Sequence, residues 1–443
     1  MRKSSTMNRR EFIKSGALAA TSSILPFSAR EDSSKIKFAI LGTGSWGTNV
    51  ILKSAIASGQ FEIVGLCDIN SVALNNAADE VEKSGGKKPK LFSSYQDLYE
   101  LPGLQAIAIV TPTHWHALQF IDACKKGLHV FLEKPICYDI REGQAMLAAH
   151  WQARNVVQVD FPRVMGNVNA QVKSFIQRGE AGKIWQVQAN INHHEGKLIE
   201  KPIPDELDFE IFCGPAPRNK FLCEENSNVP MWRGQHDFSR GILADWGTHY
   251  IHNIRKVLNL ELPKHVSAIG GITRNVSHNN PDHLEVQYDF AGLPVIWSHK
   301  TWGFTSPLPD NNYGVYYYGE RATLFAGDLG WEVYSFDGGS KIKHGDVRFN
   351  AGDPANWQAY LTMAADLLKE FSGQVQKNSN DGITNTLEDA YKTTASIIYA
   401  DMSYLAQSQL EIDATTMNVV NNEGAQKMLK RKYRDMYQHP YSS

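Results

Sequence analysis

Lys134 stands in the run Glu133-Lys134-Pro135, and His249 closes the run Asp245-Trp-Gly-Thr-His249. Both side-chain types can pass a proton. A lysine desolvated in an apolar cleft between Glu133 and Pro135 can give or take the proton of a hydroxyl. Asp245 and His249 are four residues apart at the start of an apolar helical pattern (Ile251, Ile254, Val257, Leu258), so they share a face. An imidazole titrates near neutral pH, and Asp245 can orient it or a ligand hydroxyl. Gly247 leaves room for a bulky ligand. The same residues also suit a helix cap and a structural histidine.

The second group surrounds Gly42, Gly44 and Gly47, spaced G-x-G-x-x-G. An apolar run, 36–41, precedes them, and a helical pattern through Val50, Ile51, Leu52, Ala55 and Ile56 follows. In that context Gly42 makes the tight turn, Gly44 admits a pyrophosphate and Gly47 lets the helix pack on the strand. Free N–H groups at the helix start favour the phosphates. Ser45 and Trp46 lie inside the motif and count as cofactor contacts. A second strand, 61–67, ends at Asp68, where a carboxylate binds ribose hydroxyls. Ile69, Asn70 and Ser71 follow, with no Arg or Lys, so the expected dinucleotide is NAD rather than NADP.

These groups require a scaffold of alternating strands and helices. Strands are expected at 36–41, 62–67, 105–110, 128–132 and 156–159, with helices near 47–58, 71–83, 94–99, 114–126 and 139–153. Alternation at this spacing means a parallel, doubly wound sheet with ligands at the carboxyl ends of its strands. Val110-Thr-Pro-Thr-His-Trp-His116 and Glu133-Lys-Pro-Ile136 fall at such ends. From 157 to 311 the pattern changes to strands of an open sheet with one polar face, at 186–191, 266–269, 284–290 and 294–299. Strands at 313–318 and 331–335 and helices at 355–373 and 386–407 follow, then a polar tail. A chain of 443 residues exceeds one ordinary core, so the division is a dinucleotide domain, 34–155, a second domain, 156–412, and an extension, 413–443.

Lys and Arg total 45 against 47 for Asp and Glu, and the only dense basic run beyond residue 30 is Lys430-Arg-Lys-Tyr-Arg434. That gives no nucleic-acid footprint. Of five cysteines, Cys67 and Cys124 read as core thiols, while Cys213 and Cys223 flank a Gly-Pro-Ala-Pro turn and could bridge in an oxidising compartment. His193-His194-Glu195 invites a metal reading, but neighbouring strand residues face opposite ways, so none is expected. Asn8-Arg-Arg-Glu-Phe-Ile-Lys14 resembles a twin-arginine export motif. The apolar stretch after it, Ala17 to Phe27, is too short for a membrane anchor. The expected location is the periplasm, where no free NAD pool exists, so the nucleotide would travel tightly bound.

The ordered set of motifs resembles the Gfo/Idh/MocA oxidoreductases, named for glucose-fructose oxidoreductase, inositol dehydrogenase and a rhizopine-catabolism protein. It comprises the glycine motif, Asp68, Thr111-Pro112 with His116, Glu133-Lys134-Pro135, Gly179-Glu-Ala-Gly-Lys183 and Asp245-x-Gly-x-His249. The resemblance runs from about Ile36 to Ile412, and Leu207 to Pro217 looks like exported members. It implies a nicotinamide-binding domain plus a large, mostly antiparallel sheet, with a sugar or cyclitol substrate between them. It implies a homo-oligomer, dimer or tetramer. It assigns catalysis to Lys134, His249 and Asp245. Thr111, Pro112, His116, Glu133 and Lys134 join the glycine motif as cofactor contacts. Arg163 in Asp160-Phe-Pro-Arg163 is a candidate substrate contact or a structural residue, and Trp232 and Arg233 suit a sugar or an ordinary interface. His252 departs from the pattern, since many members carry Asp there. The expected reaction is hydride transfer between a sugar or cyclitol carbon and NAD. Two alternatives stand beside it: a glycosidase or lyase that oxidises its sugar transiently, and a non-catalytic sugar-binding protein. NAD-dependent glycosidases of this kind lack the Glu-Lys-Pro lysine, which favours the dehydrogenase.

Overall fold

Six apolar runs build the first sheet: β1 (Ile36–Leu41), β2 (Phe61–Cys67), β3 (Lys90–Phe92), β4 (Ala106–Ile109), β5 (His129–Glu133) and β6 (Val157–Asp160). The structure, a computed structural model, describes residues 35–193, 195–274, 277–302, 313–336, 341–345 and 354–441. The strand order is β3-β2-β1-β4-β5-β6 and every pairing is parallel. All of β4 and β5 is buried, as a sheet covered on both faces demands. The order reverses between β1 and β4, which opens a crevice at their carboxyl ends. The helices return at Ser71–Lys83, Tyr95–Tyr99, Thr113–Lys125 and Ile140–Ala153, close to expectation. The expected helix at 47–58 opens instead with a π turn, Gly47–Leu52, before Lys53–Ser58.

Three features correct the sequence reading. β3 has only three residues, none fully buried, and carries no legible period. β6 is the edge strand of the parallel sheet, so a boundary at 155/156 cuts that sheet. The late helix Pro354–Lys377 also returns to this sheet: Leu367, Leu368 and Phe371 share a core with Phe38, Phe61 and Phe131. The rings of Phe131 and Phe371 are 5.8 Å apart.

Among the described residues the second sheet has ten strands. They are β7 (Ile184–Asn192), β10 (His265–Gly271), β11 (His283–Phe290), β12 (Leu293–Lys300), β13 (Tyr313–Gly319), β14 (Ala322–Ala326), β15 (Trp331–Ser335), β16 (Lys341–His344), β17 (Leu410–Asp413) and β18 (Asn418–Val419). A separate pair, β8 (Leu198–Glu200) and β9 (Leu222–Glu224), stands apart. The large sheet is antiparallel except where β12 runs parallel to β7. Alternation along β11 buries Leu284, Val286, Tyr288 and Phe290 and leaves Glu285 and Gln287 outside. Asn167–Gln177, Thr248–Leu258 and Leu387–Ala406 contribute to the same core as its buried face.

The polar tail wraps its own chain. Arg431 bonds Glu142 at 2.9 Å, Tyr433 Oη donates to Glu142 at 2.6 Å, and His439 Nε2 meets Asp139 at 3.0 Å. Asp139 and Glu142 already form the capping box of Ile140–Ala153. This trio of Asp139, Glu142 and His439 has the spacing of a metal site. Arg431 and Tyr433 occupy it instead, so it is an ion-pair network. Cys213 and Cys223 are buried free thiols rather than a bridge.

Candidate active site

The glycine turn meets each geometric demand of a dinucleotide site. Gly42 has φ +95°, and a Cβ there would lie 2.7 Å from Val110 O. A Cβ on Gly47 would lie 2.0 Å from Gly42 O. Gly44 has nothing within 4 Å, so its surroundings are open to a phosphate. Ser45 is exposed beside it. Asp68 ends β2 with Oδ2 accepting from Thr43 N at 2.6 Å and Oδ1 from Asn70 N at 2.8 Å. Burial raises its carboxyl, and these N–H bonds only partly reverse that. Trp46 aims its indole N–H at Asp160 Oδ2, 3.4 Å away, and meets Tyr360 edge-on at 5.6 Å.

Thr111 and Pro112 follow β4, and Pro112 caps the helix Thr113–Lys125. His116 departs from its expected role as a nicotinamide contact. Its Nδ1 is 2.8 Å from Pro135 O and its Nε2 2.6 Å from Thr111 O. Burial pushes this imidazole down to about 4, despite the two carbonyls. Both nitrogens of His116 thus face carbonyls, of the turn after β4 and the turn after β5, and the neutral ring donates to one of them.

Lys134 follows β5 and reaches Asp245, which lies in a π turn, Leu243–Gly247, ahead of Thr248–Leu258. Lys134 Nζ donates to Asp245 O at 2.8 Å and to Asp245 Oδ1 at 3.0 Å. Arg233 Nε lies 3.3 Å from the same carboxylate oxygen, and its guanidinium sits 4.5 Å over the Trp232 ring. The expected apolar cleft around Lys134 is therefore a charged triad. Burial alone would raise Asp245; the Arg233 and Lys134 charges outweigh it and hold the carboxyl well below its usual range. Asp245 orients Lys134, not the imidazole.

His249 is buried, and its Nδ1 has no hydrogen-bond partner. Burial, then the charges of Lys134 and Arg163, drive its pKa far below the ordinary value. It stands neutral at pH 7, not poised near neutrality as its residue type suggests. His252 stacks on Phe161 at 3.8 Å, with Nδ1 at Thr393 Oγ1 and Nε2 at Asn385 Oδ1, 3.0 and 3.1 Å away. It is a satisfied core residue. Arg163 resolves the same way: Nε meets Asp328 Oδ1 at 2.9 Å, Nη1 meets Tyr360 Oη at 3.1 Å, and Cζ lies 5.2 Å from the centre of the Trp246 ring. These partners give it a structural role.

Sequence reading missed two carboxyls. Asp160 is the register partner of Glu133 across β5 and β6, and both are buried. Burial, and then repulsion by Asp160, raise Glu133 well above its usual range, and burial raises Asp160 as well. An Asp closing an apolar strand, as Asp68 does, was the available clue. The second is Glu195, 3.7 Å from His278 Nδ1. Burial first, then the Asp245, Asp282 and Glu224 charges, push its carboxyl up to about 7. His193 lies against Trp246, and His194 is outside the described residues.

Comparison with known proteins agrees with this geometry. Residues 36–161 match the family described as an oxidoreductase family with an NAD-binding Rossmann fold, and residues 170–275 match its C-terminal alpha/beta domain. A glycosyl hydrolase family 109 protein of Stenotrophomonas maltophilia is 37% identical over 134 residues, covering 29% of each chain. The match thus spans under a third of that relative's length. An oxidoreductase from Agrobacterium radiobacter, solved with NAD+, L-tartaric acid and magnesium, superposes with a TM-score of 0.65 at 15% identity, over 85% of this chain and 98% of that one. The WlbA dehydrogenase of Bordetella pertussis, solved with NADH and UDP-GlcNAcA, gives 0.63 at 17% identity over 86% and 99%.

Proposed function

As the chain belongs to the Gfo/Idh/MocA oxidoreductase family, we propose that it moves hydride between a hydroxyl-bearing sugar or cyclitol carbon and a resident NAD. The observation that carries this reading is the convergence of Lys134, Asp245 and Arg233 near a buried His249 with a free Nδ1. NAD, when bound, supplies the hydride acceptor. Gly44 leaves the approach for its phosphates open, and Asp68 offers its remaining lone pairs to the ribose.

Lys134 spends two N–H donors on Asp245 and has a third for the substrate oxygen. In the oxidation direction that ammonium holds the developing alkoxide, while neutral His249 has an unprotonated ring nitrogen to receive the hydroxyl proton. The carbon loses hydride as the proton leaves, so charge and atoms balance. Trp232 borders the triad, its ring under the Arg233 guanidinium, and the two side chains suit a sugar ring. A second reading, transient oxidation leading to glycosidic cleavage, is favoured by the glycosyl hydrolase family 109 relative.

The twin-arginine motif at Arg9 and Arg10 supports export to the periplasm, and the open sheet supports assembly as a dimer or tetramer. Among the described residues no helix is long and apolar enough to cross a membrane. A sugar and cyclitol panel, read for both cofactor reduction and bond cleavage, tests the reaction. Failure of every member in both readouts overturns the enzyme reading. Affinities of stripped protein for NAD and NADP test the cofactor: NAD should bind more tightly, and Asp68→Ala should narrow the difference.

A further inference from the structure

We propose that the segment Pro204–Asp208, with the helix Phe209–Cys213 behind it, is a latch over the adenosine end of the NAD site that sets how fast nucleotide enters and leaves. The proposal rests on the NAD reading above and adds the control of residence.

One foot of the latch stands on the turn directly after Asp68. Ser71 N donates to Glu206 O at 3.0 Å, and Asp208 N donates to Ile69 O at 3.2 Å. Between them Asn70 and Leu207 form an antiparallel bridge. Leu207 is buried in a small core with Phe209, Phe212 and Phe238, against which Ile69 packs. The other foot stands on the helix after β4. His114 Nε2 lies 2.8 Å from Phe212 O, and Trp115 Nε1 donates to Ile211 O at 3.0 Å. Gly214 fits this foot closely: φ is +51°, and a Cβ would lie 2.3 Å from the Trp115 ring. The tail holds it down, since Arg434 Nε donates to Gly214 O at 2.8 Å and Arg434 N to Pro215 O at 3.1 Å.

β1 and its glycine turn lie between β2 and β4 in the sheet. A strap footed on the turns after β2 and β4 therefore bridges both sides of the crevice. A ribose on Asp68 lies next to Ile69, at the first foot. Asp68 itself is tied to that foot, because its Oδ1 accepts from Asn70 N.

Ser71→Pro tests the first foot with little else disturbed. Ser71 is the first residue of its helix, where proline is favoured, and Asn70 before it is extended, at φ −102° and ψ 110°. The change deletes only the N–H that reaches Glu206 O. Leu207→Ala loosens the same foot from the opposite side and serves if the first variant folds poorly. NAD binding and release are followed by stopped flow on the full mature protein, with fluorescent etheno-NAD as the chase. Opening a latch speeds both directions, so association and dissociation should each rise about tenfold while affinity changes little. A merely damaged site would release faster without binding faster, and that pattern overturns the proposal. So do unchanged rates in a folded variant. Fast release from the wild type would remove the retained-cofactor reading alone, because the latch is judged on the ratio of variant to wild type.

Discussion

Lys134 and Asp245 are 111 residues apart in sequence and 3.0 Å apart in the fold, one at the carboxyl end of a parallel strand and the other in a π turn. The contact joins the dinucleotide sheet to the second domain, so the proton-handling group is assembled only when both have folded. Lys134→Ala or His249→Ala should lower turnover by about 100-fold or more, the scale of a lost acid or base. NAD should still bind, since the glycine turn and Asp68 lie elsewhere. Near-normal turnover in either variant removes that residue from the mechanism.

Gly47 and Gly44 should fail differently. Gly47→Ala drives a methyl to 2.0 Å from Gly42 O, so the fold itself should lose stability, by about 1–3 kcal/mol as overpacking does. Gly44→Ala meets no protein atom. Its apo melting temperature should match the wild type while NAD affinity falls, because the methyl stands where a phosphate approaches. Equal losses of stability in the two variants would contradict that division.

The parallel sheet was legible because strand, glycine turn, helix and Asp68 all repeat one local grammar. Gly42 has the positive φ, and Gly47 the close backbone approach, that their spacing led one to expect, since local backbone geometry decides both. The charge chemistry was not legible in the same way. Arg163 looked free until Asp328, from a distant strand connection, paired with it. His249 looked ordinary until burial, and then the nearby charges of Lys134 and Arg163, suppressed its own charge. His116 looked like a ligand and proved to face the carbonyls of two turns. Neither a pairing across 165 residues, as between Arg163 and Asp328, nor a side chain folded back onto nearby carbonyls, as at His116, leaves a period in a sequence.

Acid should unfold the protein through its buried imidazoles. Burial holds His114 and His252 down to about 3 and His116 and His299 to about 4. Each is neutral when folded but protonates near 6.5 when unfolded, so the unfolded state binds more protons below that pH. Their stabilisation is complete above about 6.5 and is lost as pH falls, at about 1.4 kcal/mol per pH unit for each group. The raised carboxyls of Glu133 and Glu195 oppose this in part. A single substitution isolates the sign: His252→Gln should make the unfolding free energy less steep between about pH 6 and pH 4, by about 1.4 kcal/mol per unit. Denaturant titrations across that range measure it, and an unchanged slope would mean that His252 is not held neutral.

Glu195 should give activity an ionisation near neutrality. Its carboxyl is pushed up to about 7, whereas His249 is suppressed far below. A limb in kcat/KM near pH 7 should therefore belong to Glu195 and vanish in Glu195→Gln. His249→Ala should lower the whole profile without moving that limb. A limb that persists in Glu195→Gln assigns it to another group.

Retention of the nucleotide joins the export motif to the chemistry. Arg9 and Arg10 suggest a route that carries folded protein, and the glycine turn with Asp68 suggests that NAD is aboard during passage. Outside the cytoplasm, reduced nucleotide that left the site would meet no soluble pool to reoxidise it. On the export proposal, a resident NAD would be reduced in one half-reaction and reoxidised in a second, by another substrate or by the bound product. The second reading, cleavage through transient oxidation, satisfies this without any outside oxidant. Survival through hours of dialysis needs slow dissociation, which at ordinary association rates means sub-micromolar affinity or better. Mature protein purified without added nucleotide should release close to one equivalent of NAD when denatured. Well under one equivalent, with activity that depends on added NAD, would place this chain among dehydrogenases that exchange their cofactor each turnover.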